Sequence, residues 1–226
     1  MLPQGAAKAT AVREMFDSIA PRYDLVNRIM TFGLDVRWRR RTVRSLSIPK
    51  GKCVLDLASG TGDLCVELFK NGLRPISVDV SLGMLRADHS GSPRVQADIL
   101  RLPFPDQSVD GITCGFALRN LIDLPKFFNE IARVTRTGGR IALLDVGVPR
   151  NRIIRYGNSF YFGKVIPRIG GLLSNRAADD SLPRSVAYLP SSEALCSMIS
   201  AAGFSDVEHH QLSGGLTQLL LGTRTK

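Results

Sequence analysis

The chain has 226 residues, of which 44% are hydrophobic and 22% are charged, and its formal net charge is +10. This length allows one well-buried core in a single domain, residues 1–226, and no linker or low-complexity tract divides it. The four cysteines lie far apart without a C-x-x-C pair, which excludes a disulfide framework and a structural zinc site, and no metal is predicted. No apolar run has the length of a membrane-spanning helix, so we expect a protein of the reducing cytoplasm.

Hydrophobic periodicity and turn residues predict alternating helices and strands along the chain. The helices are predicted near residues 10–20, 22–31, 35–46, 63–71, 82–88, 124–136, 151–166 and 191–202. The strands are predicted near residues 53–57, 74–79, 93–97, 109–115, 139–146, 206–212 and 216–223. This alternation is typical of an α/β fold with a doubly wound, mostly parallel, seven-stranded, Rossmann-like sheet. The last two strands, joined through residues 213–215, are predicted to form an antiparallel hairpin at the edge of that sheet.

The most informative motif is the loop that follows the first predicted strand. Residues 54–63 read Val-Leu-Asp-Leu-Ala-Ser-Gly-Thr-Gly-Asp, in which an apolar run with Asp56 leads into a small-residue loop and a helix start. Glycine lets the main chain approach a ligand closely, and the first free N–H groups of the helix point at it. Asp56, Gly60, Thr61 and Gly62 are therefore candidate ligand-binding residues. Since no third glycine completes a G-x-G-x-x-G fingerprint, a ligand with a positive charge and without phosphates is favoured.

Two further acids stand at strand ends. Asp79 ends the second strand about twenty residues on, where an acid typically accepts hydrogen bonds from both ribose hydroxyls. Asp98 and Ile99 follow the third strand. One such acid could simply be solvated, but three at successive strand ends favour a ligand site. The three loops resemble the S-adenosylmethionine site of class I methyltransferases, which implies Thr61 on the methionine carboxylate, Asp98 and Ile99 on the adenine, and Gly115 beside the cofactor backbone.

Longer stretches resemble the C-methyltransferases of menaquinone and ubiquinone biosynthesis. These are residues 15–27 with Thr31, Gly33, Asp35 and Trp38; residues 133–141 with Asp145; residues 116–120, Phe-Ala-Leu-Arg-Asn, after the fourth strand; and residues 164–171. The likeness covers roughly residues 10–224. It implies that S-adenosyl-L-methionine is the cofactor and that the reaction is C-methylation of a prenylated quinol, with demethylmenaquinol to menaquinol as the leading candidate.

The acceptor chemistry requires polar groups beside the methyl donor. A hydroquinone carbon becomes nucleophilic when a phenolic proton is removed, so a base or a polarised water is needed there. We expect Arg119 to stabilise the phenolate and Asn120 to orient the ring or a water; a surface arginine and a helix-start asparagine are the alternative. The residues before the first strand, about 10–46, are predicted to form a lid in which Tyr23 contacts the cofactor.

Basic residues cluster in two acid-free stretches, residues 36–55 and 146–178. For the first stretch, a solvated helix face and a binding role are equally open. The second mixes arginines with aromatic residues and could line a lipid-like substrate pocket in an insert of about residues 147–190. Peripheral contact with the inner face of a membrane and a homodimer stay open. Nucleic acid is not expected as a partner, because there is no Asn-Pro-Pro-Tyr motif of base methyltransferases and no appended basic domain.

Residues 177–181 read Ala-Ala-Asp-Asp-Ser, where members of the family that the chain resembles commonly carry two tyrosines before Leu-Pro-x-Ser. Those tyrosines belong to the acceptor side of the fold, so their absence indicates an altered quinol head group or a specialised pathway. The alternative function is a methyltransferase of the same fold that acts on a natural-product phenol or another small metabolite.

Overall fold

A seven-stranded sheet forms the centre of the part of the chain that the structure describes. The structure is a computed structural model, and it describes residues 13–14, 16–17, 20, 23–147, 149 and 189–225. The strands are β1 (Cys53–Leu57), β2 (Arg74–Asp79), β3 (Arg94–Gln96), β4 (Val109–Gly115), β5 (Thr135–Val146), β6 (Phe204–Leu212) and β7 (Thr217–Arg224). Their order is β3-β2-β1-β4-β5-β7-β6. β7 runs antiparallel to β5 and β6, and the remaining pairs are parallel.

The helices follow the strands in alternation. They are α1 (Tyr23–Met30), α2 (Leu34–Leu46), α3 (Asp63–Lys70), α4 (Leu82–Ala87), α5 (Leu124–Val134) and α6 (Ser192–Ala201). Three of them begin at a side-chain cap in which an oxygen of Ser81, Asp123 or Ser191 accepts a bond from a backbone N–H three residues on. Such caps satisfy one of the free donors of the first turn and so fix where each helix starts.

The core lies on both faces of the sheet. In β1, Leu55 and Leu57 pack into one buried cluster, together with Phe127 of α5, while Val54 packs into a second cluster with Leu46 of α2. Successive strand residues point to opposite faces, so a strand that is apolar on both faces is covered on both. The burial of β1 therefore explains why helices flank the sheet on its two sides.

The predicted sheet and its antiparallel hairpin are confirmed, although several elements begin or end a few residues from the predicted bounds. The strand predicted at 139–146 begins at Thr135, because this residue already pairs with Val109 of β4 and so ends α5 at Val134. In the hairpin, β7 lies between β5 and β6, so β6 is the edge strand.

Some predictions concern residues that are described in part or not at all. Within the helix predicted at 10–20, residues 13–14 and 16–17 are helical. The helix predicted at 151–166, most of the insert at 147–190, including its basic and aromatic stretch, and the changed positions 177–181 lie outside the described residues. Among the helices that are described, none is both long and apolar enough to cross a bilayer.

Candidate active site

A cavity opens at the carboxyl ends of β1, β2 and β4, where the strand order reverses direction. It holds about 970 Å³ of empty space, part of which is open to solvent. Its wall contains Gly60, Asp79, Asp98, Gly115 and Asn120, and the apolar residues Phe16, Ala58, Val80, Met84, Ile99, Leu100, Phe116, Ala117, Leu121 and Ile122. A mainly apolar cavity with a few polar groups at this switch point is the usual form of a small-molecule site in an α/β sheet.

Asp79 ends β2 and lies in the cavity wall. One of its carboxylate oxygens accepts a hydrogen bond from the backbone N–H of Gly60 at 2.9 Å, and the other accepts one from Ser81 N–H at 2.8 Å. Burial raises the pKa of this carboxyl above its ordinary value, although the backbone donors oppose the shift. The side chain is thus held in place from two sides, while its remaining lone pairs can accept bonds from the hydroxyls of a ligand.

Asp98 and Ile99 lie in the same wall, beyond the end of β3. Asp98 is exposed, and its carboxylate accepts a bond from Leu100 N–H at 2.9 Å in the turn that follows. Ile99 is buried beside it. A carboxylate next to an apolar side chain can bind the edge and the face of an aromatic heterocycle that carries an amino group.

The two glycines of the loop after β1 have different surroundings. Gly60 lies in the cavity wall, whereas Gly62 does not. Gly62 has φ +87°, and a Cβ atom there would overlap the Asp88 carboxylate and lie 2.9 Å from the Cβ of Ser90. Packing against residues 88–90 thus already requires glycine at position 62. That Gly62 also binds the cofactor stays a prediction.

Asp56 lies beneath the loop and outside the cavity wall. It is fully buried, and its carboxylate accepts hydrogen bonds from the hydroxyl of Thr113 at 2.8 Å and from the thiol of Cys65 at 3.6 Å. Burial raises the pKa of Asp56 to about 7, more than these two donors lower it. The geometry makes Asp56 a buried link from β1 to β4 and α3, and its contact with a cofactor stays a prediction.

The segment predicted as a lid, residues 10–46, contributes Phe16 to the cavity wall and contacts the neighbouring loops through two aspartates. The carboxylate of Asp24, on α1, accepts a hydrogen bond from the hydroxyl of Thr61 in the glycine loop at 2.5 Å. Further back in the chain, Asp17 accepts bonds from the hydroxyl of Ser81 and, at 2.9 Å, from Gly83 N–H at the start of α4. Thr61 is therefore engaged with the lid here, and its bond to a methionine carboxylate stays a prediction. The side chain of Tyr23 lies outside the described residues.

A group of ionisable side chains surrounds the contact between Asp24 and Thr61. Asp24, Asp63 and His89 place one potential ligand atom each within 4.8 Å of one another, a spacing that a metal ion could use. However, Arg39 lies 3.1 Å from Asp63, and Arg28 lies 3.7 Å from it. Because cations of the protein already face the Asp63 carboxylate, the group is better described as an ion-pair network that joins the lid to α3.

Arg119 lies beside the cavity but is not part of its wall. Its guanidinium Nη1 donates to the Asp145 carboxylate at 2.6 Å and to the carbonyl oxygen of Phe116 at 2.6 Å. The two side chains are 8% and 0% exposed, so the ion pair is buried. The Nε atom of Arg119 is also buried and has no hydrogen-bond partner among the described residues. A direct contact of Arg119 with a phenolate stays a prediction, since Asp145 and Phe116 already hold much of the guanidinium.

The structure adds cavity residues that sequence reasoning missed. Phe116 has φ +61°, a left-handed backbone that is rare for a bulky residue, and its ring packs 6.2 Å from the ring of Trp38 on α2. Asn120, Leu121 and Ile122 complete this side of the wall, and of these only Asn120 had been predicted. The strain at Phe116 could not be read from the sequence, but its place in the F-x-x-R-N element was a usable signal.

Comparisons with known proteins agree with this geometry. The ubiE/COQ5 methyltransferase family model matches residues 4–224. The "Ubiquinone/menaquinone biosynthesis C-methyltransferase UbiE" of Geobacter sulfurreducens is 38% identical over 96% of this chain and 90% of its own length. The "Demethylmenaquinone methyltransferase" of Roseiflexus sp. is 38% identical over 99% of this chain and 98% of its own. That of Mycobacterium sp. strain KMS is 40% identical over 92% and 91% of the two chains.

Solved structures share the fold at much lower identity. Phosphoethanolamine N-methyltransferase 2 of Haemonchus contortus, solved with phosphomonomethylethanolamine and S-adenosylhomocysteine, has a TM-score of 0.64 at 13% identity, over 83% of this chain and 52% of that one. A SAM-dependent methyltransferase of Thermotoga maritima has a TM-score of 0.65 at 20% identity, over 94% and 99% of the two chains. The fold is thus that of class I methyltransferases, and the family match over nearly the whole length places the chain in the ubiE/COQ5 methyltransferase family.

Proposed function

We propose that the protein is an S-adenosylmethionine-dependent C-methyltransferase that acts on a prenylated quinol, with demethylmenaquinol as the leading acceptor. The observation that carries this proposal is the cavity at the switch point of the sheet, in which two acids at strand ends and Asn120 stand in a mainly apolar wall. The apolar wall suits a quinol ring and an adenine, and the acids suit a ribose and an amino group. The relatives named for this activity support the same conclusion.

The residues of the wall fit the cofactor. Asp79 would accept bonds from the ribose hydroxyls, because its carboxylate is fixed by backbone donors yet faces the cavity. Asp98 and Ile99 would hold the adenine, and Gly60 and Gly115 would let the main chain come close to the ligand. Asp56, Thr61 and Gly62 would act around the methionine end, Asp56 from beneath the loop. When bound, the cofactor supplies a methyl group that is already activated by the positive charge of its sulfur.

The acceptor side of the cavity would position the quinol. Asn120 offers an amide donor and acceptor that can orient the ring or a water, and Phe116 and Ile122 provide apolar contacts. A phenolic proton must leave before the ring carbon is a good nucleophile, so a water beside Asn120 is the proposed proton acceptor. The Nε atom of Arg119 has no partner among the described residues, which supports the predicted role of Arg119 at a phenolate oxygen. Because Arg119 also donates to the Phe116 carbonyl, it is a positioning residue for this wall as well.

Two wider features complete the proposal. The chain would act as one domain, with residues of about 10–46 as a lid that closes the cavity through Asp17 and Asp24. A prenylated acceptor resides in a bilayer, so the enzyme would meet it as a peripheral protein at the inner face of the membrane. Because residues 177–181 lack the two tyrosines common in the family, a natural-product phenol is the second candidate acceptor.

The test is a methyl-transfer assay with labelled S-adenosylmethionine and extracted quinones, offered in reduced and in oxidised form, with the products identified by mass spectrometry. We expect a carbon-bound methyl group only on the reduced, demethylated quinol, because only the quinol can form a phenolate. Cofactor binding without methylation of any quinol, together with methylation of simple phenols, would move the protein to the alternative acceptor class.

A further inference from the structure

The outer face of α1 is apolar, which is the reverse of what a helix at a protein surface normally shows. Leu25, Ile29 and Phe32, in α1 and the turn after it, are 57%, 37% and 78% exposed. Leu25, the exposed Arg28 and Ile29 occupy positions i, i+3 and i+4, so they lie along one side of α1, and Phe32 follows in the turn. This row of four residues is called the α1 stripe below.

The opposite side of α1 is fixed to the protein by polar contacts. Asp24 accepts a bond from Thr61 of the glycine loop, and the hydroxyl of Thr31 donates to Asp35 of α2 at 2.9 Å. Met30 is buried between these positions. The helix therefore cannot turn its apolar side inward without losing contacts to the cavity loop and to α2, so the exposure of the α1 stripe belongs to this fold.

Basic residues follow the α1 stripe directly in the chain. α2 exposes Arg37, Arg40, Arg41 and Arg44, and no acid occurs from residue 36 to 55. Of these four, only Arg40 has an ion pair with a described residue, Glu67, and that contact is 3.8 Å long at a side chain that is 52% exposed. By contrast, the neighbouring Arg39 is buried and paired with Asp35 and Asp63. The exposed arginines are thus left with little neutralising charge.

We infer that the α1 stripe and the exposed arginines of α2 form a docking surface for an anionic lipid bilayer. Apolar side chains flanked by arginines are the composition of a helix that lies in the membrane interface, since the apolar groups enter the acyl boundary and the cations meet the headgroups. An eight-residue helix is far too short to span a bilayer, so the contact is peripheral. The choice of lipid over a second copy of the chain rests on this positive charge and on the proposed function, in which the acceptor is dissolved in the membrane.

The location of this surface connects it to the cavity. α1 carries the α1 stripe on one side and, on the other, Asp24, which contacts the glycine loop. Docking of α1 would therefore bring the lid end of the cavity to the bilayer, where a long apolar tail could stay in the lipid while its ring enters the protein.

The experiment is sedimentation of the purified full chain with vesicles of phosphatidylcholine alone or with about 30% phosphatidylglycerol, without any quinol or cofactor. We expect binding to the anionic vesicles, and a loss of at least about tenfold in affinity for the double variant Leu25→Ser/Ile29→Ser. Each of Arg37→Gln and Arg41→Gln should weaken binding about fivefold. The matched control is Phe69→Ser on α3, since Phe69 is 43% exposed but belongs to neither α1 nor α2, and this variant should bind as the wild type does.

The remaining outcomes are decisive as well. Unchanged vesicle binding of the double variant, or an equal loss in Phe69→Ser, would overturn the inference. So would a wild-type dimer that dissociates in the double variant while neither protein binds vesicles, because a second copy would then cover this face. Thermal unfolding of the variants separates a lost surface from a lost fold. Vesicle binding needs no acceptor, so wild-type binding without quinol methylation would reject the proposed function alone.

Discussion

The two sides of the cavity are held in different ways. On the sheet side, Asp56 of β1 and Asp79 of β2 are fixed by two backbone amides, one buried hydroxyl and one thiol. On the side of the predicted lid, Asp17 and Asp24 bind the cavity loops through their side chains, while Trp38 of α2 packs against Phe116 and Leu46 packs in the core. The sheet side and α2 are thus built into the core, whereas Asp17 and Asp24, which precede α2, hold the cavity loops through a few hydrogen bonds.

This difference teaches which part can move during turnover. A cofactor enclosed by both sides can enter and leave if the lid opens, because the core-bound side keeps its geometry meanwhile. Substitutions on the sheet side should therefore change the free energy of unfolding, and those on the lid side should change rates of binding and release. The predictions below test this division in order of expected size.

The largest effect is expected from Arg119→Met. It leaves the fully buried Asp145 carboxylate without its ion-pair partner, which should lower the free energy of unfolding by about 3–5 kcal/mol in a urea titration. Arg136→Met is the control, because its pair with Asp110 is half exposed and should contribute less than about 1 kcal/mol.

The second variant Arg119→Met/Asp145→Asn distinguishes charge from packing. It should recover much of the stability, since no unpaired charge remains. If the double variant does not recover stability, the loss in Arg119→Met does not come from the unpaired charge of Asp145. If Arg119 acts on the acceptor, either variant should also slow methyl transfer while the affinity for S-adenosylmethionine changes little.

The next effect concerns pH and Asp56. Its folded-state pKa of about 7 lies above the ordinary value near 3.8, so the native state holds the proton more tightly than the unfolded chain. The stabilisation that the protonated Asp56 carboxyl gives to the native state is complete below about pH 4. It is lost as pH rises through about 7, which lowers the free energy of unfolding by no more than roughly 4 kcal/mol. The variant Asp56→Asn should remove that slope from the free energy of unfolding. Parallel pH profiles of the free energy of unfolding for the variant and the wild type would contradict this role of Asp56. The control is Asp98→Asn, at an exposed acid, which should keep the slope.

A smaller effect is expected for Gly62→Ala. The new Cβ would overlap Asp88 and would also require a left-handed backbone, so about 2–4 kcal/mol of stability should be lost. Gly91→Ala has a similar φ of +78° but nothing within 4 Å, and it should cost about 1 kcal/mol. Equal losses in the two variants, measured by urea unfolding, would mean that backbone strain alone requires glycine here.

For Asp79→Ala we expect a loss in affinity for S-adenosylmethionine of about 1–3 kcal/mol, because charge-assisted hydrogen bonds to the ribose disappear. Isothermal calorimetry measures this directly. Asp106→Ala, at a side chain that is 75% exposed, should leave the affinity unchanged. An unaltered affinity in Asp79→Ala would show that Asp79 does not bind the ribose.

The smallest effect belongs to the lid. Asp24→Ala removes the acceptor of the Thr61 hydroxyl and should speed release of the cofactor several-fold, which corresponds to about 0.5–1.5 kcal/mol. Stopped-flow displacement gives this rate, and Asp206→Ala, at an irregularity in the pairing of β6 with β7, is the control. Slower release would indicate that Thr61, once freed from Asp24, binds the ligand, and that the contact does not hold the lid closed.

The sequence predicted the sheet and much of the wall because these depend on local patterns. Alternating apolar runs with glycines gave the strands, and acids at successive strand ends gave Asp79 and Asp98, since parallel strands bring such ends together. The partner of Arg119 could not be found in this way. Asp145 is 26 positions away in the chain, and only the pairing of β4 with β5 places the two side chains together.

The roles of Gly62 and Asp56 show the same limit. Both belong to the motif that predicted the site, but neither lies in the cavity wall. A motif records that a residue type is needed, without telling whether a ligand or a neighbouring loop needs it. At Gly62 the neighbour is Asp88, which the sequence marked in no way.

The position of β7 sets a condition on how the protein is synthesised. β7 follows β6 in the chain but lies between β5 and β6 in the sheet. On the ribosome, β6 therefore emerges before β7, the strand with which it pairs. Until β7 emerges, the edge of β5 that pairs with β7 is unpaired as well. The nascent chain passes through a moment at which two unpaired edges face solvent, and rapid emergence of β7 or shielding by a chaperone would protect it from aggregation.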